Sequence, residues 1–287
     1  MKKILSSIIL GGIILLLTGC NDLENATIYT TVYPISYLTE QLYGSHSTTS
    51  SIYPDGTDVA NYTLTDKQIE TYSNGTLFIY NGTTSEKQIA NDFVHENKRL
   101  KIIDAAYGLK YKYCVEELWL SPSNYLMLAS NIKDGLQEQI GSKYINAEIE
   151  EKYGELEETL SIMDAEIRRI AKDAQSRGQE TIVVSSNVFK YLEDYGFTVI
   201  SLEDYEPNTS NLSSLKSNFN SGVYRYILTR ANEEDSEVLK ELKSGTNITS
   251  VPVNMMHTLS EENHANNETY ISIMNQYISD LKTITNY

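Results

Sequence analysis

Apolar positions along the chain follow two alternating periods. Short runs rich in β-branched and aromatic residues read as strands: 27–32, 51–53, 77–80, 100–103, 181–184, 197–202, 226–228 and 251–253. Between them apolar residues recur three or four apart. After Pro34, which loses nothing by lacking an N–H in a first helical turn, Ile35, Leu38 and Leu42 share a face and Gly44 stops the run. Further helical stretches are expected at about 65–74, 85–96, 189–195, 212–219, 235–242 and 268–284. Strand and helix alternate, which argues for βαβ units, an α/β fold and parallel sheets.

The middle of the chain breaks the alternation. From Pro122 to about Gln139, Leu126, Leu128, Ala129, Ile132 and Leu136 form one helical face. A longer helix is expected from about Lys143 to Ser176, with Ile149, Tyr153, Leu156, Leu160, Met163, Ile167 and Ile170 as a narrow apolar stripe and Gly178 as its stop. A solitary coiled coil would need more heptads. The stripe instead suits a helix lying along two βα halves. The reading is a lobe over 27–140, a linking helix over 141–177 and a second lobe over 178–287.

Length is compatible with two modest domains or one large one, and a chain of 287 residues can bury a sizeable core. Tyrosine is abundant, 22 residues against 5 Phe and 1 Trp, as expected of half-buried positions whose hydroxyls reach polar partners. A minority of them are candidates for the walls of a ligand cleft. The net charge of −16 makes nucleic acid an unsuitable partner. Asn-x-Ser/Thr triplets such as Asn61-Tyr62-Thr63 are frequent, as chance allows in a chain this rich in Asn and Thr. No nucleophile elbow, P-loop or dinucleotide fingerprint is present, and the acid pair Glu193-Asp194 falls on a helix surface, so the chain is read as a binding protein and not an enzyme.

The first 19 residues have their own logic. Lys2-Lys3 precede an apolar run from Ile4 to Leu17, and small residues follow, which is the order of a secretory signal. At about 14 residues the run is short for a membrane span, which needs about 20. Leu17-Thr18-Gly19-Cys20 resembles the lipobox of bacterial lipoproteins. That resemblance implies cleavage before Cys20, acylation (palmitate) of its thiol, a short tether over 20–26, and anchoring to the outer face of the bacterial cell membrane. Removing Lys2 and Lys3 leaves 21 basic against 39 acidic residues, a charge of −18. So acidic a body is repelled by anionic lipid heads, and the anchor holds it at the membrane. With Cys20 acylated only Cys114 remains, so no internal disulfide forms.

Five segments, in order, resemble the substrate-binding lipoproteins of zinc and manganese ABC importers, the cluster A-I metal-binding family. Thr30-Thr31-Val32-Tyr33-Pro34 matches the family's opening strand and helix. Pro54-Asp55-Gly56-Thr57-Asp58-Val59-Ala60-Asn61-Tyr62 matches a loop that normally carries a histidine. Trp119-Leu120-Ser121-Pro122 matches a turn after a second histidine. Ser186-Asn187-Val188-Phe189 opens the second lobe, and His257-Thr258-Leu259-Ser260 closes it. The resemblance covers nearly all of the chain after the signal. It implies two βα lobes joined by a long rigid helix, a ligand cleft between the lobes, capture of Zn or Mn there, and delivery to an ABC permease by a monomeric carrier.

Carried over position by position, the family's four metal ligands fall on Ala60, Glu117, Ser186 and His257. Alanine cannot bind a metal and a neutral serine hydroxyl binds weakly. Glu117 and His257 are therefore the expected ligands, with Ala60 and Ser186 marking lost ones. Zinc takes about four N, O or S donors and manganese more oxygen. Glu116, Asp58, Cys114 and His264 are the candidates for further donors. A lone cysteine such as Cys114 is more often a small buried apolar residue. His46 and His95 read as surface residues, and the His-rich loop of many zinc-specific members is absent. Two readings follow: a metal carrier with an altered site, or a family scaffold that has lost metal capture and binds a small organic ligand or serves as a surface interaction or adhesion protein. The count of competent ligands converging in the cleft separates them.

Overall fold

The computed structural model describes residues 25–82 and 84–286. The signal, Cys20 and the tether up to residue 24 lie outside them. Among the described residues, eight strands form two four-stranded parallel sheets of identical order. The first has order β2-β1-β3-β4, with β1 Ala26–Thr30, β2 Ser47–Ser51, β3 Leu77–Tyr80 and β4 Lys101–Asp104. The second has order β6-β5-β7-β8, with β5 Thr181–Val184, β6 Thr198–Ser201, β7 Tyr226–Arg230 and β8 Thr249–Val253. Registers such as Ile28↔Leu77 and Val183↔Ile227 place the apolar central strands side by side. β3 is buried at all four positions, as expected of a parallel strand covered on both faces.

The helices of the first half are α1 Tyr33–Tyr43, α2 Asp66–Ser73, α3 Thr84–Glu96, the single turn α4 Glu117–Leu120 and α5 Pro122–Gln139. α6 runs Lys143–Arg177, 35 residues or about 52 Å at 1.5 Å per residue. Ser142 caps its start by accepting from Ile145 N–H, and Gly178 ends it at φ 67°, a conformation that suits glycine. Its stripe of Ile145, Ile149, Leu156, Leu160, Met163, Ile167, Ile170, Ala171 and Ala174 is buried, while Arg169 pairs with Glu166 and Asp173 on the outer face. The second half adds α7 Ser210–Asn220, α8 Glu237–Lys243, α9 Glu261–Ala265 and α10 Tyr270–Ile284.

Two expectations shift. The second strand is 47–51 rather than 51–53, because an edge strand of sequence Ser-Thr-Thr-Ser-Ser alternates half-buried and exposed positions without an apolar run. Ile52 and Tyr53, which suggested the strand, are buried in the loop that follows it. The helix expected over 189–195 runs over 187–195 and is of the 3-10 type. Phe189, Leu192 and Tyr195 lie three apart, the spacing that aligns side chains in that tighter helix, and Gly196 stops it at φ 102°.

One apolar cluster runs through both lobes, and a smaller one fills the second lobe beneath α7 and α8. Tyrosines stitch the junction. Tyr125 stacks on Tyr270 with centroids 3.9 Å apart. The Tyr125 hydroxyl donates to the Pro34 carbonyl at 2.7 Å and that of Tyr270 to the Trp119 carbonyl at 2.7 Å. Trp119 Nε1–H donates to the Met255 carbonyl at 2.8 Å, tying the first lobe to the loop after β8. The Tyr191 hydroxyl lies 3.1 Å from the Leu120 carbonyl and 2.9 Å from the Tyr277 hydroxyl. Four of the tyrosines, Tyr125, Tyr191, Tyr270 and Tyr277, thus serve as a polar-tipped core at the lobe junction.

Candidate metal-capture cleft

The loops that meet between the lobes leave the C-terminal ends of parallel strands, where open α/β sheets place their ligands. Asp58 and Ala60 follow β2, Asn81 follows β3, Arg230 ends β7 and His257 follows β8. Together with Glu116, just before α4, these residues line one chamber of about 490 Å³.

Its centre is a cross-lobe pair. His257 Nε2 lies 3.0 Å from Glu116 Oε1. The loop that presents His257 is fixed on both sides. Met256 adopts a left-handed φ of 58°, and its N–H donates to Asn254 Oδ1 at 2.8 Å. The His257 carbonyl accepts from Tyr33 N–H at 3.0 Å, and the imidazole stands edge-on to Trp119 at 5.7 Å. Arg230 Nη2 sits 2.8 Å from Glu233 Oε1 and 3.5 Å from Glu116 Oε1. Burial pushes the Glu116 carboxyl upward, yet the His257 hydrogen bond and the Arg230 charge outweigh it and hold the acid below its usual range.

The expected ligand positions do not all converge. Ala60 and His257 line the chamber. Ser186 lines an adjoining cavity of about 230 Å³ that shares Arg230 and Glu233 with it. The Ser186 hydroxyl caps the following 3-10 turn by accepting from Val188 N–H at 3.3 Å. Glu117 is buried and lines neither cavity; its Oε2 accepts from the backbone N–H groups of Lys112 at 3.1 Å and Tyr113 at 3.3 Å. The residue that reaches His257 is its neighbour Glu116. Asp58 lines the chamber but accepts from Asn61 Nδ2 at 2.7 Å and Ala60 N–H at 3.1 Å, and those bonds keep its carboxyl below the usual range. Burial and the nearby Glu116 charge push the Cys114 thiol up, which disfavours the thiolate a metal needs. His264 pairs with Asp55 at 3.0 Å on the exposed rim, and His46 pairs with Glu148 at 3.0 Å. Among the described residues, no three His, Cys, Asp or Glu side chains are grouped closely enough to hold a metal ion.

Sequence reasoning missed Arg230, Asn81 and Glu86 as chamber residues, because the family's ligand pattern drew attention to other positions. A charged residue ending the apolar run 226–228 was the available signal for Arg230.

Residues 28–284 match the family described as zinc-uptake complex component A, periplasmic. The chain belongs to this zinc-uptake component A family. A relative is the zinc-binding lipoprotein AdcA of Streptococcus pneumoniae, 24% identical over 315 aligned residues, covering 99% of this chain and 61% of AdcA. The chain thus spans less than two thirds of that relative. The manganese-binding lipoprotein MntA of Halalkalibacterium halodurans is 23% identical, with 70% of this chain and 71% of MntA covered. The Zn(II)-bound ZnuA-like domain of S. pneumoniae AdcA superposes with a TM-score of 0.74 at 23% identity, covering 92% of this chain and all of that domain. The zinc-uptake component A fold accounts for the two matched sheets and the long α6. Among the described residues no helix is long and apolar enough to cross a membrane.

Proposed function

We propose that this chain is the extracytoplasmic solute-binding lipoprotein of a zinc/manganese-type ABC importer. It captures a divalent ion in the cleft between its lobes and delivers it to a membrane permease. The Glu116–His257 pair carries the reading: a carboxylate from one lobe and an imidazole from the other meet at 3.0 Å where the strand ends converge. Both are metal-ligating groups, and an ion entering between them replaces the proton they share. Family membership and the relatives named for zinc and manganese binding support the same assignment. The lobe boundaries at 27–140 and 178–287, the linking helix at 141–177, cleavage before Cys20, the lipid anchor and a monomeric state belong to this proposal.

Calorimetric titration of the metal-stripped soluble form beginning at Asn21 tests it. Zn²⁺ or Mn²⁺ is expected to bind one to one, and Glu116→Ala or His257→Ala each to weaken binding about 10- to 100-fold. A flat titration of the unaltered chain overturns metal capture and leaves an organic ligand or a protein partner as the cleft's occupant.

A further inference from the structure

The Glu116–His257 pair occupies only part of a chamber of about 490 Å³. That volume lies in the range of small-molecule sites, and far exceeds what an ion and a water of about 30 Å³ need. Its walls include the rings of Tyr53, Tyr62 and Trp119, with Tyr53 and Tyr62 edge-to-face at 5.8 Å.

Three lining residues carry buried polar atoms without partners among the described residues. Asn81 is 1% exposed and both its amide Nδ2 and its Oδ1 are unpaired. Glu86 is 4% exposed and its Oε2 is unpaired. Arg230 Nε is buried and unpaired, although its Nη2 holds Glu233. Unpaired donors and acceptors in the interior are costly, and native proteins keep few of them. These belong to different elements, the loop after β3, the first turn of α3 and the end of β7, yet all line the same chamber. Each of these atoms is closed to solvent in this conformation, so an occupant of the chamber meets them as the side chains turn toward it. The set suits a compact ligand that both accepts hydrogen bonds, as a carboxylate does, and donates them, as an amine does.

The metal side makes a matching demand. Glu116 and His257 supply two donors where zinc takes about four. Arg230, 3.5 Å from Glu116, repels a bare divalent ion and attracts an ion that brings its own carboxylate.

We propose that the chamber holds the organic part of a metal chelate, a small α-amino acid that binds the ion as its aminocarboxylate and releases its ammonium proton to solvent on chelation, so that the cargo is a chelated ion rather than a bare one. The chelator's amine and carboxylate complete the coordination that Glu116 and His257 begin, while Asn81, Glu86 and Arg230 bind its remaining polar edges. This rests on the metal-carrier reading.

The test uses the mature lipidated chain in detergent, stripped of metal and titrated with Zn²⁺ alone, with L-histidine or glycine alone, and with Zn²⁺ plus each amino acid. The sign of the effect decides. An amino acid that merely competes for zinc weakens apparent binding. The proposal expects at least one of the two to strengthen it by about tenfold or more. It also expects native mass spectrometry to find zinc and the amino acid bound together, and Asn81→Ala or Glu86→Ala to reduce the gain. Zinc binding that neither amino acid strengthens, with zinc alone retained, overturns the chelate and leaves the carrier reading standing. An amino acid bound equally without zinc overturns the chelate and makes the chamber an organic-ligand site. No binding of any kind overturns both readings.

Discussion

Glu86 gives the sharpest quantitative prediction, because its position fixes both the sign and the size of a pH effect. Its carboxyl is buried in the first turn of α3. Burial raises its pKa from the ordinary 4.5 to about 8, against hydrogen bonds involving Thr31 and the Asn81 backbone, with a small further push from Asp104. A folded-state pKa above the unfolded value means that the folded chain keeps a proton that the unfolded chain releases. The stability that Glu86 contributes is therefore fully present below about pH 4.5 and is lost as pH rises, until the folded group ionises near pH 8. At 1.36 kcal/mol per pH unit, the loss reaches roughly 3 kcal/mol by pH 7 and roughly 5 kcal/mol by pH 8.

Glu86→Gln keeps the shape and the hydrogen-bonding capacity but cannot ionise. It is expected to match the parent near pH 4.5 and to exceed it by up to roughly 3 kcal/mol at pH 7. At about 2 °C per kcal/mol for a chain of this size, the melting temperature at pH 7 rises by roughly 6 °C. Circular dichroism melts of both proteins from pH 4.5 to 8.5, with a metal chelator present, supply the readout. Melting-temperature curves that stay parallel across that range refute the reasoning, since they leave the Glu86 proton with no part in the pH dependence.

Other substitutions separate the roles of neighbouring residues. Glu117→Ala removes the acceptor for the Lys112 and Tyr113 N–H groups and is expected to cost about 1–3 kcal/mol in denaturant unfolding, while changing zinc affinity less than Glu116→Ala does. Trp119→Phe leaves the buried Met255 carbonyl unpaired and should cost about 1–3 kcal/mol by the same measurement. Tyr270→Phe deletes the hydroxyl that donates to the Trp119 carbonyl while keeping the stack on Tyr125, for about 1 kcal/mol. Gly135→Ala is expected to destabilise despite alanine's better helix propensity, because the new Cβ falls 2.9 Å from three Ile103 carbons; a higher melting temperature in the variant contradicts this.

Much of the fold was legible because its signals are local. Central strands such as 77–80 and 181–184 are continuous apolar runs, and α6 carries a long stripe bounded by Ser142 and Gly178. The edge strand β2 was displaced because its side chains are polar and partly exposed, so nothing in their pattern distinguishes a strand from a loop. The site was less legible. Buried polar groups such as Asn81 and Glu86 look like surface residues until the chain places them beneath a chamber, and Arg230 gains its place in the site from Glu116, which is distant from it in sequence.

The adjacent acids Glu116 and Glu117 show where a linear pattern stops being sufficient. Consecutive residues on a helical turn point about 100° apart, so only one of the two can face His257. The backbone before α4 decides which. Lys112 and Tyr113 turn back over the start of the helix with their N–H groups directed at it, and a carboxylate there can accept from both. Glu117 does so, which commits its charge to holding the loop. Glu116, one position earlier, then faces the second lobe, and His257 and Arg230 offset the cost of its burial. A pattern aligned by sequence picks out the position of Glu117, whereas the hydrogen bonds of the neighbouring backbone leave Glu116 as the acid that meets His257.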